Sequence, residues 1–358
     1  MSLNPRYLAL LVVVAALLAP AGAQAATKSV IAGPAVSKPP KGFPKDGDTN
    51  AFYRKNVTVH VGDKVRWTLN GFHTVTFAAK GKKPPPFISP DLANRIAGAN
   101  DAAGAPFWFN GQPRLILDPQ GAFPVGGKTY DGSKPASSGA PLADGKPKPY
   151  TLKFTKTGRF GYVCTIHPGM KGTVKVLAKR RRVPSAAADK TAAKEEFAKS
   201  VALGKKLGAS AGPTGNEVWA GNDSREVAVL RFFPAKKSVP VGTTLTLAMP
   251  KSTTEIHTFS FGPAAYLKTV ADGIFAPDSA VPPAVVLNPL IVFPSDPPPT
   301  LGGPTGANHG NGYVNTGILD RDTATPSPGS TQIKFDKAGT YDYICLVHPF
   351  MTGQIIVG

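Results

Sequence analysis

The sequence predicts an all-β protein built of two similar halves, on three observations. Glycine (38) and proline (37) are abundant in the 358 residues, and apolar stretches with helical spacing are scarce, so loops between short strands should dominate. Over 52 to 77 the apolar residues alternate: Val57, Val59 and Val61, a Gly62-Asp63 turn, then Val65, Trp67 and Leu69, as in two paired, half-buried strands. The second half then answers the first. Val218-Trp-Ala-Gly221 matches Val30-Ile-Ala-Gly33, Val239-Pro-Val-Gly242 matches Val59-His-Val-Gly62, and His257-Thr-Phe-Ser-Phe261 matches His73-Thr-Val-Thr-Phe77. Phe154 and Phe335 lie 181 residues apart, as do Cys164 and Cys345. A tandem duplication explains that constant offset.

Taken in order, the chain opens with Arg6, an apolar run from Tyr7 to Leu18 and Ala23-Gln-Ala25, which reads as a secretory signal over 1–25 cleaved after Ala25. The run is too short to span a bilayer, no lipid-accepting cysteine follows it, and a twin-arginine pair is absent, so a soluble periplasmic or extracellular product, exported unfolded, is expected. A first unit, 26–178, begins with a strand at 29–33 and a Pro/Lys/Gly-rich loop at 34–50. The strand pair follows and delivers His73 at its end. A long Pro/Gly/Lys/Ser-rich insertion, 78–150, carries apolar islands at Phe107-Trp-Phe109 and Leu115-Ile-Leu117. Strands at 150–154 and 174–176 close the unit.

A linker, 179–212, starts with Lys179-Arg-Arg-Arg182 and Pro184 and continues as an Ala/Lys/Glu-rich helix over 186–207, with Ala193, Phe197 and Val201 at helical spacing. Asp189 is its expected cap and Gly208 its expected end. Gly208-Ala-Ser210-Ala-Gly212 matches a nucleophile elbow only by chance, since Pro213 stands where a helix should start and no apolar strand precedes it. The second unit, 213–358, has its own insertion at 262–330, of which only Gly312 to Gly317 aligns with the first.

The chemistry lies in two short arcs. One reads Cys164-Thr-Ile-His167-Pro-Gly-Met170 and the other Cys345-Leu-Val-His348-Pro-Phe-Met351; they hold the only two cysteines, each with His at +3 and Met at +6. A Cys164–Cys345 disulfide would suit an exported protein but explains neither repeated His nor repeated Met. Thiolate, imidazole and thioether together are what a mononuclear electron-transfer copper site requires.

With His73 ahead of the first arc and His257 ahead of the second, the pattern resembles the type 1 blue-copper cupredoxins, most nearly the plastocyanin and amicyanin branch. The short Cys-x-x-His-x-x-Met loop is similar to that of amicyanin. The resemblance covers both halves apart from signal, linker and insertions. It implies two Greek-key β-sandwich domains, with one copper in each, cycling between Cu(I) and Cu(II): His73, Cys164, His167 and Met170 in the first and His257, Cys345, His348 and Met351 in the second. It also implies solvent-facing loop histidines, rimmed by Pro168 and Gly169 or by Pro349 and Phe350. Thr74 and Thr258 stand where the family often has an asparagine tying the ligand segments together.

An electron carrier, with no catalytic residue, is therefore expected. Copper nitrite reductases place a histidine directly before the cysteine, where Val163 and Ile344 stand here, and the paired His-x-His motifs of multicopper oxidases are absent. A copper oxidoreductase would need an additional site between subunits. Copper storage or delivery would favour Met- or His-rich tracts, and four methionines in all do not supply them. Of the remaining histidines, His60 and His309 are expected to be exposed. The formal charge of +19 favours redox partners with acidic docking surfaces, with Lys171 beside the first site, and is compatible with peripheral contact with an anionic membrane or wall. Nucleic acid is not expected, because the aromatics fall in strand patterns.

Overall fold

The computed structural model describes residues 25–277, 284–298, 301–322 and 325–358. All but Ala25 of the expected signal lies outside them. Among the described residues no helix is long and apolar enough to cross a membrane.

Alternation becomes sandwich packing in the first half. The strand Lys64–Leu69 buries Val65, Trp67 and Leu69 and turns Lys64 and Arg66 outward. It lies between Thr27–Ala32, in parallel register, and Tyr150–Phe154, antiparallel, in a five-stranded sheet that also holds Phe52–Tyr53 and Thr129–Tyr130. A six-stranded sheet faces it, ordered Asn56–His60, Lys171–Leu177, Gly158–Val163, Thr76–Phe77, Ala136–Ser138 and Pro124–Val125. Both contribute to one core, in which the Trp67 ring meets Phe77 and Tyr162 edge-on at 5.6 and 5.4 Å.

The same order recurs in the second half. Phe232–Phe233, Glu217–Ala220, Thr243–Ala248 and Ser330–Phe335 form one sheet. Lys236–Val239, Thr352–Val357, Gly339–Ile344, Ser260–Phe261 and Val314–Asn315 form the other, and a second core lies between them. The protein is thus all-β, a pair of two-sheet sandwiches with few helices.

The insertions are not structureless. From the first come Ile88–Arg95 and Pro113–Leu117, and from the second Val285–Leu287 and Phe275–Pro277; together they make one four-stranded sheet. The apolar island at 107–109 enters a core shared by both halves. Phe107 and Phe109 stack at 4.9 Å, Phe109 stacks on Phe293 at 5.4 Å, and the Trp108 indole donates to the Pro294 carbonyl at 2.9 Å. Two helices there escaped the sequence reading, Ala264–Asp272 and Pro289–Val292. The shorter one carries a legible start signal: Asn288 accepts from the Leu290 N–H at 3.0 Å, and Pro289 is the first helical residue.

The expected helix runs Ala186–Gly208, but Ser185 caps it, its hydroxyl accepting from the Ala188 N–H at 3.2 Å. Asp189 sits in the first turn instead, where the helix dipole favours a carboxylate, and pairs with Lys28 at 2.6 Å and Arg54 at 2.7 Å. Glu196 accepts from the N–H groups of Arg54 and Lys55, Phe197 meets Tyr53 edge-on, and Gly204 leaves room for the Phe43 ring. The helix is therefore fastened to the first half along its length.

His60 and His309, expected to be exposed, are both engaged. The His60 Nε2 meets the Arg181 carbonyl at 2.7 Å, and His309 stands between Asp101 and Asp296 at 3.4 and 3.5 Å. Replacing Phe109, wholly buried in the shared core, with alanine is expected to cost about 3–5 kcal/mol, read from denaturant unfolding. A cost under about 1 kcal/mol would mean that this core is dispensable.

Candidate metal centres

Each centre is assembled from two segments far apart in sequence. In the first half, His73 follows the Lys64–Leu69 strand, and Cys164 leaves the strand Gly158–Val163 as it begins the turn to Lys171–Leu177. The Cys164 N–H donates to the Met170 carbonyl (2.9 Å) and the Met170 N–H to the His167 carbonyl (3.1 Å), closing the arc on itself. The second half repeats these bonds at 3.1 Å for Cys345 to Met351 and 2.8 Å for Met351 to His348.

The segments are tied at the cysteine. The Thr74 N–H donates to the Cys164 Sγ at 3.3 Å, and the Thr165 N–H donates back to the Thr74 Oγ1 at 2.8 Å. Thr258 N–H to Cys345 Sγ, 3.4 Å, and Leu346 N–H to Thr258 Oγ1, 2.8 Å, make the same pair. The tie expected of the two threonines is present, made by backbone and hydroxyl together.

His73, Cys164 and His167 converge, as do His257, Cys345 and His348. In the first centre the His73 and His167 Nδ1 atoms are 3.0 Å apart, and the His167 Nδ1 is 3.4 Å from the thiol. In the second the thiol lies 3.7 Å from the His257 Nδ1 and 3.8 Å from that of His348. Met170 and Met351 are buried beside them. Both cysteines are free and buried, so no disulfide joins them.

Behind His73 and His257 the backbone closes in. A Cβ on Gly33 would lie 2.6 Å from the His73 Nε2, and one on Gly221 equally close to the His257 Nε2; both glycines have positive φ, 84° and 70°. Each ring is thus wedged with its Nδ1 toward the thiol, and both Nε2 atoms are buried without a hydrogen-bond partner.

Water exclusion sets the protonation states. Burial pushes His73 and His348 down to about 4 and holds His257 well below its ordinary value, with His348 adding to the effect there. His167 is also held well below, by burial first, then by His73 and by His348 of the other half. Burial pushes both thiols up. Neutral imidazoles beside a thiol form a donor set that could hold a soft or borderline cation.

The solvent-facing histidine that the resemblance implied is not what the first centre presents. The His167 side chain is only 12 % exposed, and its Nε2 lies 3.9 Å from a Glu255 carboxylate oxygen of the second half. Sequence reading missed Glu255. It is held by the Asn50 amide at 2.5 Å, and its carboxyl is pushed well above the usual range by burial, then by Asp223 and Asp48. The acid two residues before His257 was its only trace in the sequence, and the first half has Gly71 at that place. At the second centre Phe350 is 63 % exposed, so an apolar rim does face solvent there.

No protein-family model matches the chain. It is 45 % identical over 42 residues to amicyanin-alpha of Methylorubrum extorquens, a match covering 11 % of this chain and 35 % of that protein. The chain thus spans about a third of the length of that curated relative. Solved structures similar to parts of it include a methionine-to-glutamine variant of amicyanin in the Cu(I) form, 21 % identical over 34 % of this chain and 70 % of that one, with a TM-score of 0.18. A purple cupredoxin from Nitrosopumilus maritimus is 15 % identical over 40 % of this chain and all of its own, with a TM-score of 0.21. Plastocyanin from Dryopteris crassirhizoma is 15 % identical over 40 % of this chain and 99 % of its own, with a TM-score of 0.20. Over those segments the chain is similar to cupredoxins.

Two outcomes follow from this geometry. Thr258→Val strips the acceptor from the buried Leu346 N–H and should destabilise the protein by about 1–3 kcal/mol in chemical denaturation; an unchanged midpoint would contradict the tie. In the metal-free protein at pH 5, His73 and His348 should remain neutral by imidazole NMR, because burial lowers their values to about 4. Midpoints near 6.5 would show that water reaches the rings.

Proposed function

We propose that this chain is an exported carrier of single electrons, with one mononuclear type 1 copper site in each half. His73, Cys164, His167 and Met170 would hold the first ion and His257, Cys345, His348 and Met351 the second. The observation that carries this reading is the convergence, twice, of two imidazole Nδ1 atoms on one free, buried thiol. The donor set fits copper: two neutral imidazoles, each with one nitrogen free of a proton, and a sulfur, in a largely buried pocket. Copper bound there would supply a one-electron couple between Cu(I) and Cu(II).

The protein's own part is to hold these donors still. The short donor bonds to each sulfur, the glycine wedges behind His73 and His257 and the Cys–Met backbone bonds all restrain the ligands before an ion arrives. Units 26–178 and 213–358, joined by 179–212, would serve as two cupredoxin domains after removal of 1–25, in the periplasm or outside the cell. Redox proteins are the partners in this reading.

The test is copper content with the visible spectrum. The loaded protein should hold two ions and show a thiolate charge-transfer band that Cys164→Ser or Cys345→Ser each reduces to one site's contribution. Full blue absorbance in either variant would sink that site. At pH 7 each ion bound should displace about one proton, from the thiol, since the imidazoles are already neutral. Calorimetry in buffers of different ionisation enthalpy counts it; no proton release would mean that the cysteines are not ligands.

A further inference from the structure

A groove of about 980 Å³ lies beside the first metal centre. Its floor is the outer face of the strand Gly158–Val163, where Gly161 has no side chain and a Cβ there would meet nothing within 4 Å. Lys80, Lys82, Lys156, Arg159, Lys171 and Arg225 line it, with the half-buried Phe160 as apolar surface. Its two acids already have partners in or beside the groove. Glu226 pairs with Lys55 at 2.6 Å, and Asp131 accepts from the Ser133 N–H and hydroxyl at 2.8 and 2.6 Å. Among the described residues, Lys80, Lys82, Arg159, Lys171 and Arg225 have no carboxylate within ion-pair distance.

The groove ends at the metal loop. Val163, Gly169 and Lys171 line that end, flanking the arc that carries His167, and Arg225 of the second half packs against Gly169. The outer nitrogen of His167 faces Glu255, so the flank at Gly169 is the outside approach to this centre that the groove commands. Five free cations in one concavity point to a polyanion. A concave floor does not admit a flat bilayer, and aromatic surface between the cations suits a polypeptide better than a bare phosphate polymer.

We propose that this groove binds an acidic polypeptide segment of a redox partner and so sets that partner against the loop of the first centre. The inference rests on the electron-carrier reading for its purpose, but not for the binding. The mode is electrostatic: rim cations steer the encounter and the complex weakens with salt, as brief redox contacts require.

The test uses the mature, copper-treated protein and a fluorescent oligoglutamate peptide. Lys80→Glu/Lys156→Glu/Arg159→Glu should weaken binding roughly tenfold or more at low salt and flatten its salt dependence. Lys194→Glu/Lys199→Glu/Lys206→Glu, an equal charge change on the exposed face of the Ala186–Gly208 helix, should change it by less than about twofold. Peptide-induced amide shifts should centre on Gly161, Gly169 and Lys171. Equal weakening by both triples would overturn the proposal in favour of net charge alone. Tighter, groove-dependent binding of polyphosphate or of phosphatidylglycerol vesicles would overturn the polypeptide assignment. Copper content and absorbance, read on the same samples, separate the two readings: a chain that takes no copper sinks the carrier and leaves the groove result standing.

Discussion

Everything in each half depends on one buried donor: the backbone N–H that follows the first histidine and points at the cysteine sulfur. Thr74 to Cys164 and Thr258 to Cys345 are contacts between residues about ninety positions apart, made where water is absent. A sulfur so placed cannot be solvated, and a strand end so placed has no other acceptor for its N–H. The bond closes because Thr74 leads into Thr76–Phe77, which pairs with Gly158–Val163 in one sheet, Thr76 opposite Val163, as Ser260 stands opposite Ile344 in the second half. Once it closes, the threonine hydroxyl returns a second bond, and the histidine is pressed between a glycine and the thiol.

The two centres are not independent passengers on a flexible tether. A buried carboxyl from one half lies against the loop histidine of the other, and Asn50 anchors it by a bond that crosses the same boundary. Burying Glu255, Asp223 and Asp48 together is unfavourable to their charged forms. That cost is tolerable because backbone amides take the load: the Thr254 and Glu255 N–H groups both donate to Asp223. A carboxyl held this way limits how the His167 ring can turn, which makes the second half part of the first centre's support.

How much of this could be read in advance divides along a physical line. The convergence of each cysteine with the histidine at +3 was legible because spacing in a tight loop is local. The Val57 to Leu69 strands were legible because burial on one face imposes a period of two. Glu255 was not, since an acid near a histidine says nothing until a second half folds over it. The partners of the insertions' apolar islands were hidden for a related reason. Phe107 and Phe109 look like stray apolar residues when their partners Phe293 and Tyr313 are some two hundred positions away. Ser185 over Asp189 as the cap was a matter of one turn, decided by Lys28 and Arg54 claiming the aspartate.

The shared core of the insertions gives the duplication a consequence that two joined copies would lack. Strands from 88–117 and 275–287 complete one sheet, so neither insertion can bury its apolar face without the other. Trp108, Phe109 and Phe293 join the sandwiches through the insertions, and the segment 179–212 is bonded to both halves, to the first through Asp189 and Glu196 and to the second through its Leu207 and Gly208 carbonyls, which accept from Asn222 and Arg231. With both connections rigid, the relation between the two centres is set by packing rather than by diffusion of a linker. The long insertions, which look like decoration on a repeated Cys-x-x-His pattern, therefore join the two halves into one object together with the Gly47–Asp48 to Ala228–Val229 strand pair and the Asn50–Glu255 bond.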